Sequence, residues 1–200
     1  MRRSLATKAS LAALAALATA GFSSAASAHI GSHAGGFTNG LAHPFYGLDH
    51  VLAMVAVGLW ASQLGRRAVW LLPLTFPFVM AAGAVIGWSG VSFPWVEMGI
   101  AGSVIALGAA VAFALRPPLM ASALVIGFFA LFHGFEHGAS LPAHGTALTY
   151  GAGFILATFI LHMIGIGLGM LANNVPVRFA ARTAGGAIAV LGVALLVMPH

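Results

Sequence analysis

The chain has 200 residues, of which 60% are hydrophobic and 6% charged, with a mean hydropathy of +1.02. A soluble domain of that size cannot cover its surface with so few charges, so the composition specifies an integral membrane protein. Cysteine is absent, which excludes a disulfide framework and a thiolate metal site. The net charge of +5 does not point to nucleic acid, because Arg2, Arg3 and Lys8 crowd the N-terminus and the other basic residues fall at predicted helix ends.

In chain order, the first predicted element is a leader. Arg2, Arg3 and Lys8 form a positive start, Leu11 to Ala20 an apolar centre, and Ala26-Ser27-Ala28 a small-residue cleavage site. A signal peptide over 1–28 is therefore expected, in preference to an uncleaved span. It leaves a single six-helix transmembrane domain over 29–200. Cleavage would free the amine of His29 beside its own imidazole, and with His33 nearby the new N-terminus offers a capture site for a metal.

Six apolar segments of membrane length follow, at roughly 41–62, 68–88, 94–115, 119–139, 147–171 and 179–198. With an exported N-terminus, the connections after the first, third and fifth are cytoplasmic. Arg66, Arg67, Arg116, Arg178 and Arg182 all fall there, as the positive-inside rule requires. The expected fold class is all-α, a polytopic membrane helix bundle of six transmembrane helices after an N-terminal signal peptide, with both mature termini outside. Gly83, Gly87, Gly102, Gly108, Gly165, Gly169, Gly185 and Gly186 read as close helix packing. The two groups of three spans run in opposite senses, which permits an inverted repeat, although the halves share no visible similarity.

Polar residues inside such spans are functional candidates, because an ionised side chain at mid-membrane costs on the order of 2.5–3.5 kcal/mol. The first span opens with HPFYGLDH. Pro44 is expected at the first helical position with His43 extended before it, and Gly47 weakens the first turn, so His43 can fold back toward Asp49 and His50. Neighbouring Asp49 and His50 cannot both point at one centre from an ideal helix; one is a ligand and the other a partner orienting an imidazole.

The fourth span contains FHGFEHG. His133 and His137, four apart, share a helical face at the spacing of a bis-imidazole chelate, and Glu136 borders that face. Glu97 lies just inside the third span, in a first turn where the helix dipole stabilises a carboxylate regardless of function. By topology all three acidic residues of the chain share the outer half of the membrane with His43, His50, His133 and His137. His144, in a short outer loop, is either solvated or touched by an entering metal. His162 lies deeper in the fifth span, as a relay or as a packing residue.

These segments carry a resemblance. HPFYGLDH resembles the signature H-P-x-x-G-x-D-H of the HupE/UreJ family of nickel/cobalt permeases, and FHGFEHG resembles that family's F-H-G-x-A-H-G-x-E. The stretch YGAGFILATFILHMIGIGLG is also similar to family members. The resemblance implies uptake of Ni²⁺ or Co²⁺ across a bacterial cytoplasmic membrane, with metal-handling roles for His43, Asp49, His50, His133, His137 and, less directly, Glu97. One departure stands out: Glu136 occupies the family's small position, and Ser140 occupies the position of its carboxylate.

HGFEH also matches the H-x-x-E-H pattern of inverted zinc metalloproteases. An intramembrane zinc protease, with His133 and His137 as ligands and Glu136 as base, is therefore one alternative; it needs a third ligand and leaves HPFYGLDH unexplained. A membrane metal sensor that binds without transporting is the other. The favoured expectation is a permease, not an enzyme, with no permanently bound cofactor and a divalent transition-metal ion as its cargo. Imidazole with carboxylate suits Ni²⁺, Co²⁺ or Zn²⁺. The bilayer is the expected partner, with self-association or an upstream outer-membrane metal receptor as further partners compatible with uptake.

Overall fold

The computed structural model describes residues 36–141, 146–171 and 175–197. The leader expected over 1–28, His29, His33 and His144 lie outside the described residues. Among those described there are seven helices and no strand: α1 Phe37–Tyr46, α2 Leu48–Leu64, α3 Ala68–Trp88, α4 Val96–Ala112, α5 Leu119–Ala139, α6 Ala147–Met170 and α7 Val175–Val197. Helices α3, α5, α6 and the Arg178–Val197 part of α7 are each long and apolar enough to cross a membrane. The pair α1 and α2 together has the same length and apolarity but is bent by 86°, and α4 is a shorter apolar helix of 17 residues.

The bend corrects one expectation. Pro44 does not open a helix after an extended His43; both lie inside α1, and the break falls at Gly47, which is extended at φ −87°, ψ 114°. A side chain at Gly47 would meet His50 Nδ1 at 2.6 Å and the Asp49 carboxylate at 2.8 Å. Glycine is required there because the Asp49–His50 pair folds back over the turn.

The packing is that of a membrane bundle. Trp70, Leu74, Phe78 and Val85 of α3 face outward, while Leu72, Phe76 and Met80 on the opposite side are buried. Large apolar side chains are left for lipid, and small ones go between helices. A Cβ on Gly134 would overlap the Met80 carbonyl and one on Gly83 the Leu131 carbonyl; Gly87 faces Phe135 and Gly138 faces Ala84 in the same way. Gly58 and Gly165 join α2 to α6, and Gly108 and Gly185 join α4 to α7. Of the glycines expected to pack closely, Gly102 meets only the Phe129 ring at 3.8 Å and Gly186 faces open space.

These contacts also give helix directions. Gly83 and Gly87 of α3 meet Leu131 and Phe135 of α5 in ascending order, so the two run parallel, and Gly58 and Ser62 of α2 ascend likewise along Gly165 and Gly169 of α6. Ile105, Gly108 and Ala112 of α4 meet Gly192, Ala189 and Gly185 of α7 in descending order, so that pair is antiparallel. At the C-terminal end of α4, Trp60 Nε1–H donates to the Leu115 carbonyl at 2.9 Å, and Gln63 Nε2–H to the Val111 carbonyl at 3.1 Å. Arg182 Nε–H donates to the Ala112 carbonyl at 2.7 Å, placing a cation where the α4 dipole favours one.

Candidate metal site

The 86° turn at Gly47 swings the end of α1 over the start of α2, and His43 comes to rest beside His50. The last turn of α5 adds His137. One nitrogen from each of His43, His50 and His137 lies within 4.8 Å of the others. The Asp49 carboxylate accepts a hydrogen bond from His50 Nδ1 at 2.8 Å. That contact holds the ring proton on Nδ1 and leaves the lone pair of Nε2 facing the triad. His50 Nε2 and His137 Nε2 stand 2.5 Å apart, and with the His50 proton on Nδ1 the hydrogen between them comes from His137. An ion bound to both nitrogens would take the place of that proton.

Apolar and aromatic groups enclose the triad. Phe154 of α6 lies 4.4 Å from His137 between ring centres, 5.9 Å from His43 and 6.0 Å from His50, and Tyr150 reaches His43 at 6.0 Å. Burial is graded: His43 is partly exposed, His50 and His137 are buried, and His133 is fully buried. Every acidic residue in the chain acts electrostatically on His50, with Asp49 in direct contact and Glu136 and Glu97 further away.

The converging set therefore differs from the His133/His137 pair that spacing within α5 suggests. His133 stands one turn deeper; its Nδ1–H donates to the Phe129 carbonyl at 3.1 Å, and its ring lies 5.2 Å from that of His50. Glu136 is partly buried and close enough to interact with both His50 and Tyr150. Glu97 is exposed in the first turn of α4 and stands apart from the triad. His162 is fully buried in α6, with Phe76 packed edge-on against both it and His133, each at 5.4 Å. Sequence reading missed the aromatic walls, Phe76, Tyr150 and Phe154, because nothing distinguishes them among 14 phenylalanines in an apolar chain. Three imidazoles backed by carboxylates form a donor set for a late first-row divalent ion.

The family model described as HupE / UreJ protein matches residues 16–195. The curated Protein HupE of Rhizobium leguminosarum bv. viciae is 52% identical over 181 residues, spanning 90% of this chain and 95% of its own length. No solved structure matches. A match that reaches into all seven helices, with an identity of this size, means that the chain belongs to the HupE/UreJ family.

Proposed function

We propose that this protein is a permease for Ni²⁺ or Co²⁺ in a bacterial cytoplasmic membrane, taking the ion from outside through the His43/His50/His137 triad. The observation that carries the reading is the convergence of three imidazole nitrogens, within 4.8 Å, inside an apolar bundle of a HupE/UreJ chain. Imidazole exchanges such ions faster than thiolate would hold them, and the chain has no cysteine. There is no Walker motif, so entry is driven by a gradient, the membrane potential or a partner. An inside-negative potential favours entry by about 2.3 kcal/mol per charge per 100 mV, which suffices for a divalent ion.

The protease alternative requires His133 and His137 to share an ion, whereas the converging nitrogens belong to His43, His50 and His137. The test is uptake by the purified protein in liposomes, with Ni²⁺, Co²⁺ and Zn²⁺ supplied in turn under an inside-negative potential. Accumulation of Ni²⁺ or Co²⁺ above empty liposomes is expected. Binding without accumulation of either ion would leave the sensor reading in its place.

The same proposal includes six crossings with both mature termini outside. The parallel α3/α5 and α2/α6 pairs and the antiparallel α4/α7 pair are what six successive crossings produce. Because the chain has no cysteine, single substitutions report cleanly. Ser140→Cys should be labelled by an impermeant maleimide added outside, and Asn174→Cys only after permeabilisation. Labelling of Asn174→Cys from outside would refute the arrangement.

A further inference from the structure

A second cluster of buried polar groups lies beyond the triad. His162 of α6 is fully buried, and among the described residues neither ring nitrogen meets full hydrogen-bond geometry. One turn earlier on the same face, Thr158 is also fully buried, with an unpartnered hydroxyl. Buried polar groups are normally hydrogen-bonded, and in a membrane bundle there is little water to substitute, so two unpartnered groups on one face need an explanation. The third group comes from α3. Pro77 lies four residues after Pro73 and has no N–H, so the Pro73 carbonyl loses its helical partner. That carbonyl acts on the His162 ring as its acceptor, short of full hydrogen-bond geometry.

The cluster lines up with the triad. His133 packs against His50 on one side and Phe76 on the other, and Phe76 packs in turn against His162. His133 Nε2 is buried without a hydrogen-bond partner and belongs to the same row. His162 sits eight residues before Met170, about 12 Å of helix rise from the far end of α6.

We propose that His162, Thr158 and the Pro73 carbonyl form a second, inner station for the transported divalent ion, separated from the His43/His50/His137 triad by the Phe76 ring and supplied through His133. The station offers one imidazole nitrogen and two neutral oxygens, a weaker donor set than the outer triad. It has no carboxylate, so it holds a dication briefly and releases it. A strong outer site followed by a weak inner one suits transport inward, because an ion must leave each stop. The alternative is a histidine kept for packing. A packing role makes His162 an asset to stability; a transit role leaves its polarity a cost that only transport explains.

This inference rests on the transport reading, and the experiment separates the two. Wild type, His162→Leu, His162→Gln and Thr158→Val are purified, checked for monodispersity and melting temperature, and assayed for equilibrium Ni²⁺ binding and for Ni²⁺ uptake in liposomes. In His162→Leu, uptake should fall at least fivefold while the outer affinity changes less than threefold and the melting temperature holds or rises. His162→Gln, which keeps a polar donor atom, should retain more uptake than His162→Leu. A smaller fall in His162→Leu, or a lowered melting temperature in both His162 variants, would overturn the inner station. Wild-type liposomes that accumulate neither Ni²⁺ nor Co²⁺ would overturn the transport reading itself.

Discussion

His50→Ala is expected to reduce Ni²⁺ uptake at least 100-fold, to the level of empty vesicles, with the protein still inserted in the membrane. His50 is the one residue that touches every part of the site: Asp49 through Nδ1, His137 through Nε2, and the rings of His43 and His133. Removing it takes a ligand from the triad and strands the Asp49 carboxylate. Asp49→Asn should be milder, in the 10–100-fold range usual for partners that orient a ligating imidazole. The amide keeps the volume of the carboxylate but loses its charge, and it no longer dictates which nitrogen of His50 bears the proton. Transport by both variants, beside their abundance in isolated membranes, measures this. A protease built on HGFEH would show the reverse order, with Glu136→Gln most damaging and Asp49→Asn nearly silent.

The all-helical, apolar character of the chain was legible in the sequence because a bilayer imposes simple rules. Apolar length set the helices, and α3, α5 and α6 lie within a residue of the predicted segments. Glycines at helical spacing announced close approach, and Gly83, Gly87, Gly108, Gly165, Gly169 and Gly185 all face a neighbouring helix that a Cβ would crowd. Gly102 and Gly186 carry the same local signal without such a neighbour, since a pattern along one helix cannot tell which face another helix takes.

The histidines that converge are among those the sequence singles out, but their arrangement was not legible in it. HPFYGLDH contains two breakers, and the helix-breaking reputation of proline drew the boundary to Pro44. The decisive constraint was at Gly47, where the Asp49–His50 pair leaves no room for a side chain. That constraint is tertiary, and it determines which histidines meet: once α1 folds back by 86°, His43 reaches His137, and the spacing of His133 and His137 within α5 no longer selects the partners. The paired Pro73 and Pro77 were a readable signal left unused, because two prolines four apart in a span must expose a backbone carbonyl to something.

Glu136→Ala is expected to lower uptake about tenfold, in the range for outer-sphere partners of a metal site, and combining it with Ser140→Glu should restore most of the loss. A divalent ion held by three neutral imidazoles keeps two positive charges in a poorly polarisable setting. Asp49 and Glu136 bring two negative charges toward His50, whereas Glu97 is exposed and contributes less. Without Glu136 one charge goes uncompensated, and desolvating the ion becomes correspondingly harder. Ser140 stands one turn further along α5, its N–H donating to the Glu136 carbonyl at 3.1 Å. A glutamate there has a side chain long enough to lean back one turn along the same face, which is the direction helical side chains favour. The single and double variants are compared by initial Ni²⁺ uptake rates at matched membrane abundance. Normal transport by Glu136→Ala would make Glu136 a bystander, and the charge of the ion would then be met by Asp49 alone. Failure of the double variant beside a defective single one would mean that the site tolerates its carboxylate only at Glu136, where it acts on Tyr150 and His50.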